Sequence, residues 1–211
     1  MREGLLFVLS EPAPGTEADF HAWYDDEHGP ARLGIPGIAN GYRYHAVDGV
    51  LPSWLACYGL DLDVLDTAEY RRLRERRSHR ERAVIASLRT LERRVYRLVQ
   101  AAGQPPSSPA TLLVATSLSV PDECATELDA WYTEEHIPLL QQVPGWGRTR
   151  RYQLRDGDAP RHLALHEVTG PEVFETEAYR HATSTPRRGA VMATVTARER
   201  RVFSHHSTCH G

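Results

Sequence analysis

The sequence contains little cysteine and no long apolar segment, and these two absences narrow the class of protein. Its three cysteines, Cys57, Cys124 and Cys209, are odd in number and have no C-x-x-C spacing. This pattern argues against a disulfide framework and fits a reducing compartment. The apolar run GLLFVLS at 4–10 is too short for the core of a secretion signal, and no stretch approaches membrane-spanning length. We therefore expect a cytoplasmic protein without a membrane partner.

Motifs that bind common cofactors are also missing. No glycine-rich loop follows a predicted strand, so the sequence does not indicate a nucleotide cofactor. No H-x-H or H-E-x-x-H pair indicates a catalytic metal. The segment FSHHSTCHG at 203–211 carries three histidines and a cysteine, but it has no regular spacing and lies where chains often fray. We expect neither a metal site nor a bound cofactor.

The charge balance offers little to a nucleic acid. The 25 basic and 28 acidic residues give a formal net charge of −3, so the chain as a whole does not attract polyanions. The arginine-rich segment YRRLRERRSHRERA at 70–83 includes glutamates and lacks interleaved aromatic residues for base stacking. It is typical of a solvated helix face, although one or two of its arginines remain candidates for binding an anion at a pocket mouth.

The sequence does contain an internal repeat. AWYDDEHGP at 22–30 returns as AWYTEEHIP at 130–138, and the same offset relates a later Pro-Gly pair, an Arg-Tyr pair and an Asp-Gly turn. An offset kept over this distance indicates a tandem duplication. It predicts a first repeat at 1–103, a linker of proline and small residues at 104–110, and a second repeat at 111–211.

Each predicted repeat has the same order of elements: strand, helix, strand, strand, helix, strand. In the first repeat the patterns predict strands at 4–10, 38–48, 53–62 and 91–99 and helices at 17–33 and 64–88. In the second they predict strands at 111–120, 148–154, 161–168 and 196–204 and helices at 123–141 and 171–182. This order is that of the split β-α-β, ferredoxin-like unit. We therefore predict an α+β fold in which the sheets of two fused ferredoxin-like repeats pack into an α+β barrel.

Motif and strand order together resemble the dimeric α+β barrel superfamily. The pattern W-Y-x-x-E-H-x-P, followed by P-G and R-Y, occurs once per half and is similar to the EthD-like branch. The resemblance covers nearly the whole chain and implies a pseudo-dimeric monomer or a homodimer with a small-molecule substrate. The superfamily includes cofactor-free monooxygenases, polyketide cyclases, isomerases, decarboxylating enzymes and haem-binding branches.

The repeated cluster falls on a predicted helix for which Thr16 is the candidate N-cap. The core-facing stripe of this helix contains Phe20, Trp23, Tyr24, Glu27, His28 and Ala31. Pro30 is expected to loosen the backbone hydrogen bonds at the helix end. A histidine in a partly apolar pocket can serve as a general base or acid near neutral pH. We predict His28 as the base, Tyr24 as a hydrogen-bond donor to a carbonyl or enolate, and Glu27 as the group that orients the ring.

Aromatic residues of the first repeat suit a flat, ring-containing substrate. The residues predicted to bind it are Trp23, Tyr44, Arg43, Tyr42 and Trp54. Tyr44 and Arg43 lie on opposite faces of a strand, so one is placed to line the pocket and the other to hold a carboxylate. Structural alternatives stay open: tryptophans suit core packing, and a histidine at a helix C-terminus is stabilised by the helix dipole.

The second repeat carries equivalents of the same residues. They are His136, Tyr132, Glu135, Trp131 and Tyr152. Its surroundings differ, because Ile137 replaces Gly29 and two arginines flank Thr149 where Asn40 and Tyr42 flank Gly41. We expect one working pocket, in the first repeat, and one largely structural copy.

Residue chemistry and resemblance together predict a cofactor-independent enzyme of secondary metabolism, of lyase or isomerase type. It would catalyse cyclisation, isomerisation, dehydration or decarboxylation of an aromatic or polyketide-like small molecule. The alternatives are a cofactor-free monooxygenase acting on a phenol, a haem protein with an axial histidine, and a non-catalytic binding protein for a pathway intermediate.

Overall fold

The computed structural model describes residues 3–104 and 112–209. Contacts divide the chain into two units, one made of Met1–Leu98, Arg155–Gly157 and His206–Gly211 and the other of Val99–Leu154 and Asp158–His205. The predicted linker lies, apart from its first residue, outside the described residues. Linker and repeat bounds therefore stay predictions.

The first half of the chain forms four strands and a set of short helices. In chain order they are β1 (Gly4–Pro12), α1 (Glu17–Trp23), a π-helical turn (Tyr24–His28), α2 (Gly29–Leu33), β2 (Ile38–Ala46), β3 (Trp54–Leu60), a 3-10 turn (Leu62–Asp66), α3 (Ala68–Glu75), α4 (His79–Ser87) and β4 (Leu88–Ala102). The single helix predicted at 64–88 is wrong. It is divided because Thr67 and Ser78 each cap a new helix N-terminus with a side-chain oxygen.

The second half repeats this order with one addition to the prediction. Its elements are β5 (Leu112–Ser119), a 3-10 turn (Asp122–Cys124), α5 (Ala125–Trp131), a π-helical turn (Tyr132–His136), α6 (Ile137–Leu140), β6 (Trp146–Asp156), β7 (His162–Val168), a 3-10 turn (Pro171–Glu175), α7 (Glu177–Ala182), α8 (Pro186–Ala193) and β8 (Ala197–Cys209). The prediction missed α8, which Thr185 caps. It also ended the last strand too early, because β8 continues through the histidine-rich segment that was expected to fray.

The strands are hydrogen-bonded in the order β1-β3-β2-β8-β5-β7-β6-β4, which closes as a barrel. Within the first unit β3 pairs antiparallel with both β1 and β2, so Tyr58 lies opposite Leu6 and Gly41. Within the second unit β7 pairs with β5 and β6 in the same way, so His166 lies opposite Val114 and Thr149. The predicted α+β barrel of ferredoxin-like sheets is confirmed. No described helix is long and apolar enough to cross a membrane.

The long helix of the first unit is continuous from Glu17 to Leu33 but contains a π turn in its middle. The Gly29 N–H donates to the carbonyl of Tyr24, five positions earlier. Pro30 explains this widening, because proline has no N–H and its ring crowds the carbonyl four positions before it. His28 therefore lies inside the helix and not at its C-terminus, so the helix-dipole alternative does not apply.

The start of α1 differs from the prediction. The Thr16 side chain does not cap α1; its hydroxyl donates to the Ala13 carbonyl at 2.8 Å. The repeated Pro-Gly pair forms a turn before the second strand of each unit, where Gly37 has φ +97° and Gly145 has φ +84°. A side chain at Gly37 would also meet Val64 at 2.4 Å, so glycine is required there.

Candidate functional site

A cavity of about 190 Å³ lies in the first unit, between its helices and its sheet. Its aromatic wall consists of Phe20, Trp23, Tyr24, Tyr58 and Tyr70. Its polar lining includes His28, Ser10, Arg32, Arg74, Arg77 and Arg93. An engineered apolar cavity of about 150 Å³ holds benzene, so this cavity has room for a substituted aromatic ring.

The π turn places His28 at the wall of this cavity. Its ring centroid lies 4.3 Å from that of Trp23 and 4.8 Å from that of Tyr24. On its other side the imidazole Nδ1 lies 3.5 Å from the Glu81 carboxylate, and both side chains are about nine-tenths buried. The Arg32 Nε–H donates to the imidazole Nε2 at 3.4 Å. His28 is thus held between a carboxylate and a guanidinium.

These neighbours set the protonation of the imidazole. Burial lowers the pKa of His28 to about 4; Glu81 opposes the shift and Arg32 adds to it. Burial alone would raise the pKa of Glu81, but the hydrogen bond with His28 and the charge of Arg32 hold it below its ordinary value. At neutral pH the pair is therefore a neutral imidazole and a carboxylate, which assigns the proton to Nδ1 and the lone pair to Nε2. The contact from Arg32 to that lone pair is long and weak.

Two tyrosines complete the wall as neutral hydroxyl donors. Burial raises the pKa of Tyr24 to about 12, and it raises that of Tyr58 well above its ordinary value. The Arg43 guanidinium lies over the Tyr24 ring at 4.2 Å, so it fixes the ring by a cation–π contact.

The cavity lining also holds polar hydrogens with no acceptor. Three residues of the lining have a buried N–H with no hydrogen-bond partner among the described residues: Nε1 of Trp23, Nη1 of Arg32 and Nε of Arg93. Buried donors in folded proteins are nearly always satisfied. Three unsatisfied donors on residues that line one cavity mark a place where a ligand oxygen would be stabilised.

Of the residues predicted to bind substrate, Trp23 lines the cavity and the other four do not. Arg43 is buried and donates to the Asp25 carboxylate at 3.2 Å and to Nδ1 of His21 at 2.8 Å. Burial and the Arg43 charge lower the pKa of His21 to about 4, so its ring is a neutral acceptor. Trp54 packs on His21, with ring centroids 4.4 Å apart. These residues form a structural cluster beside the helix.

Tyr42 and Tyr44 lie on the sheet face that points away from the helix, because they alternate with Arg43 along β2. The predicted ring-orienting residue also differs. Glu27 lines an adjoining cavity, and the carboxylate in contact with the imidazole is Glu81 from α4. Gly29, expected to leave room for substrate, lies against Cys209 outside the cavity lining.

The second unit places His136 in a similar position but with different partners. Its cavity measures about 60 Å³, too small for an aromatic ring and large enough for about two waters. The imidazole stacks on Trp131 at 4.3 Å and its Nδ1 pairs with the Ala182 carbonyl at 3.2 Å. Burial lowers the pKa of His136 to about 4, and no carboxylate contributes to the shift.

Of the other residues predicted as second-repeat equivalents, some line the small cavity and some do not, as in the first unit. Trp131 and Tyr132 line the small cavity. Glu135 instead accepts a hydrogen bond from the Thr185 hydroxyl. Tyr152 is buried outside that lining.

Sequence reasoning missed Glu81 and Arg32, the two polar neighbours of His28. Glu81 stands three positions after Ser78, whose hydroxyl accepts its backbone N–H at 2.9 Å. The spacing S-x-x-E is a capping-box signal, and it marks a helix start inside the segment that was interpreted as a solvated face. Arg32 lies four positions after His28, so the helical spacing i, i+4 was available to identify it.

Comparisons with known proteins give likenesses of structure alone. No protein-family model matches the chain, and no curated protein matches it. An anthrone oxidase-like protein superposes with a TM-score of 0.70 at 14% identity, over 97% of this chain and 91% of that one. A proposed monooxygenase from Fusobacterium nucleatum superposes with 0.65 at 10% identity, over 98% and 94%.

A third superposed structure is described as having a ferredoxin fold. It is a ferredoxin-fold protein from Listeria monocytogenes related to antibiotic biosynthesis monooxygenases, with a TM-score of 0.52 at 9% identity over 98% of this chain and 96% of that one. At such identities the likeness concerns fold and not activity. The chain has a ferredoxin-like α+β fold whose eight strands close as a barrel.

Proposed function

We propose that the chain is a cofactor-independent enzyme that removes a proton from a small aromatic or polyketide-like substrate bound in the first unit. The observation that carries this proposal is the position of His28, held between Glu81 and Arg32 at the wall of the aromatic cavity. Cyclisation, isomerisation and dehydration begin with or include the removal of a proton from carbon, and a decarboxylation ends with the delivery of a proton to carbon.

In the proposed step the Nε2 lone pair of His28 takes a proton from a carbon next to a carbonyl. The new imidazolium keeps its Nδ1–H directed at the Glu81 carboxylate, which stabilises the positive charge. The electron pair of the C–H bond moves onto the substrate oxygen. His28 then returns the proton to another atom of the substrate, so that acid and base are one residue.

A base with a pKa of about 4 removes such a proton only if the developing oxyanion is stabilised in the same place. The unpartnered N–H groups of Trp23 and Arg32 supply that stabilisation, and the hydroxyl of Tyr24 adds a neutral donor. Donors fixed in a buried site before the reaction act more strongly than water does.

The proposal also covers the family branch of the chain, the origin of its two units, its oligomeric state and its location. We place it in the EthD-like branch on the repeated W-Y-x-x-E-H-x-P pattern. We attribute the two units to a tandem duplication on the constant offset between the repeated motifs and the shared order of elements. The repeats would then form a pseudo-dimeric monomer or associate as a homodimer, and the three cysteines without paired spacing fit a reducing, cytoplasmic location.

A second candidate is a cofactor-free monooxygenase on a phenol or anthrone, a reaction suggested by the names of the superposed proteins. It shares the first step, because the carbanion left by His28 can react with O₂. One oxygen atom then enters the substrate as a carbonyl, and the other leaves as water with the two hydrogens of the methylene. Oxygen consumption separates this candidate from proton transfer alone, which consumes none.

The test is deuterium exchange into aromatic carbonyl compounds in D₂O. Phenylpyruvate and phenylacetone are suitable probes because both have a benzylic C–H next to a carbonyl. We expect exchange above the buffer rate, and we expect His28→Ala to lower that excess by about 100-fold or more. Circular dichroism is the control for folding. Exchange that survives in His28→Ala would remove His28 from the mechanism, and saturable binding without any exchange would favour a non-catalytic binding protein.

A further inference from the structure

The lining of the first-unit cavity is strongly unequal in charge. Arg32, Arg74, Arg77 and Arg93 all line it, and no aspartate or glutamate among the described residues does. The acids nearby line adjoining cavities: Glu75 lies beside Arg74 and Arg77 in one, and Glu81 lies behind His28 in another. A concave surface lined by one sign of charge concentrates ligands of the opposite sign.

Three of these four guanidiniums lack a carboxylate partner. Arg93 donates to the Asp156 carboxylate at 2.6 Å. In residues 3–104 and 112–209, Arg32, Arg74 and Arg77 form no ion pair. Arg32 contacts only the weak acceptor on His28 and the Tyr70 ring, 5.4 Å away. Arg32 and Arg77 are partly buried and Arg74 is exposed, so these charges are only partly desolvated. Like charges gathered at one concave surface with no carboxylate between them repel each other, and an anion that enters relieves this repulsion.

We propose that the natural ligand of this cavity is a small aromatic carboxylate, with its ring on the aromatic wall and its carboxylate at Arg74 and Arg77. The proposal rests on the proposed function, since it names the substrate class of the same site. The planar guanidinium fork matches a carboxylate with two parallel hydrogen bonds. Among oxyanions a carboxylate adds little volume to a ring, which suits a cavity of about 190 Å³.

A bound anion would also act on the catalytic imidazole. The Arg32 charge is one of the causes that lower the pKa of His28. A carboxylate bound at Arg74 and Arg77 lies in the same cavity as Arg32 and offsets part of that charge. Binding therefore makes His28 a stronger base at the moment when the proton has to be removed.

The test measures binding of a matched pair of unreactive probes, phenylacetate and phenylacetamide, by isothermal titration calorimetry. The two have nearly the same size and differ in charge. We expect phenylacetate to bind at least about 10-fold more tightly at low salt and the preference to shrink as salt rises. Arg74→Gln and Arg77→Gln should each remove most of the preference. Arg72→Gln is the matched control. Arg72 is exposed on α3, the helix that also carries Arg74, and it lines neither this cavity nor the adjoining ones.

Three results would overturn the inference. They are equal affinity for the two probes, no saturable binding of either, and an equal loss of preference in Arg72→Gln, which would point to the general surface field. None of these results touches the role of His28, because proton removal is measured by deuterium exchange on neutral phenylacetone. Conversely, a preference for phenylacetate together with undiminished exchange in His28→Ala would leave the anion site standing without the proposed reaction.

Discussion

The two units place the same imidazole in two different electrostatic settings. In the first, Glu81 lies beside Nδ1 of His28; in the second, a backbone carbonyl, that of Ala182, pairs with Nδ1 of His136. A carboxylate can stabilise the imidazolium that forms when a base takes a proton, and it does so far better than a neutral carbonyl. The repeated cluster therefore fixes where the ring lies, and its neighbours decide what it can do.

The neighbours differ at positions that the backbone holds in the same way. Ser78 accepts the backbone N–H of Glu81 at 2.9 Å, and Thr185 accepts that of Arg188 at 3.1 Å. The residue three positions after the cap is thus acidic in the first unit and basic in the second. Glu81 raises the pKa of His28, whereas Arg188 lowers that of His136. The side chain three positions after the helix cap therefore decides whether a carboxylate or a guanidinium acts on the imidazole.

The two units also differ in the size of the cavity beside the histidine and in the residue one helical turn after it. The offset that relates His28 to His136 also relates Arg32 beside the first cavity to Leu140 beside the second. The first cavity measures about 190 Å³ and the second about 60 Å³. Only the first combines an imidazole and a guanidinium next to space for an organic ring.

The largest effect should come from removing the two histidines in turn. His28→Ala is expected to lower deuterium exchange into phenylpyruvate by about 100-fold or more. His136→Ala should leave the rate within about threefold, although the loss of its stacking and hydrogen bond destabilises the fold by roughly 1–3 kcal/mol. Exchange rates should be compared after thermal melts have shown which fraction of each variant is folded. Equal losses in the two variants would contradict a single working site.

The next effect concerns the residues after the two helix caps. Glu81→Gln should lower exchange by roughly 30-fold, because the imidazolium loses its carboxylate; a loss of about 2 kcal/mol for a charged hydrogen bond sets this scale. It should also move the acid limb of the pH–rate profile to lower pH, since Glu81 raises the pKa of His28. Arg188→Gln should change neither quantity. A rate loss in Glu81→Gln with an unmoved acid limb would indicate a role in folding alone.

A smaller effect on exchange is expected when Arg32 of the first unit is replaced by leucine, the residue at the equivalent position of the second unit. Arg32→Leu removes a charge that lowers the pKa of His28, so the acid limb should move to higher pH. The same change removes a donor for the developing oxyanion, so exchange at neutral pH should fall by a few fold. Arg32→Lys keeps the charge but not the planar fork, and it should restore the position of the acid limb. An acid limb that does not move in Arg32→Leu would contradict the electrostatic account.

The smallest difference between the units should appear in the stability of the fold against acid. Both histidines have a folded pKa of about 4 against an ordinary value of 6.5. The unfolded chain therefore binds more protons in this range, and stability is present above pH 6.5 and is lost as the pH falls toward 4. His28→Gln and His136→Gln should reduce the pH dependence of urea unfolding between these values to similar extents. A dependence that disappears with one variant alone would contradict the shared burial.

The parts of the candidate site that depend on local spacing could be predicted from the sequence. The repeated cluster and the helical period placed Trp23, Tyr24 and His28 on one face, and all three line the cavity. The π turn was out of reach, because Pro30 predicts a disturbed helix and not the size of the widened turn.

Contacts between distant segments could not be predicted in the same way. Glu81 and His28 lie far apart along the chain, and the position of α4 on α1 depends on a helix break that was predicted as continuous helix. The substrate residues proposed on β2 lie outside the cavity lining for a related reason. Strand alternation shows that Arg43 and Tyr44 face opposite ways, but it does not show that Asp25 and His21 occupy the donors of Arg43.

The most direct measurement is a crystal structure of the protein with phenylacetate. The account predicts density for the ring in the first-unit cavity, with the ligand carboxylate within hydrogen-bond distance of the Arg74 or Arg77 guanidinium. It also predicts that Nε2 of His28 faces the ligand and that none is bound beside His136. Phenylacetate beside His136, or a first cavity that stays filled by water at saturating ligand, would contradict the central claim that the first unit alone is built to act on an organic molecule.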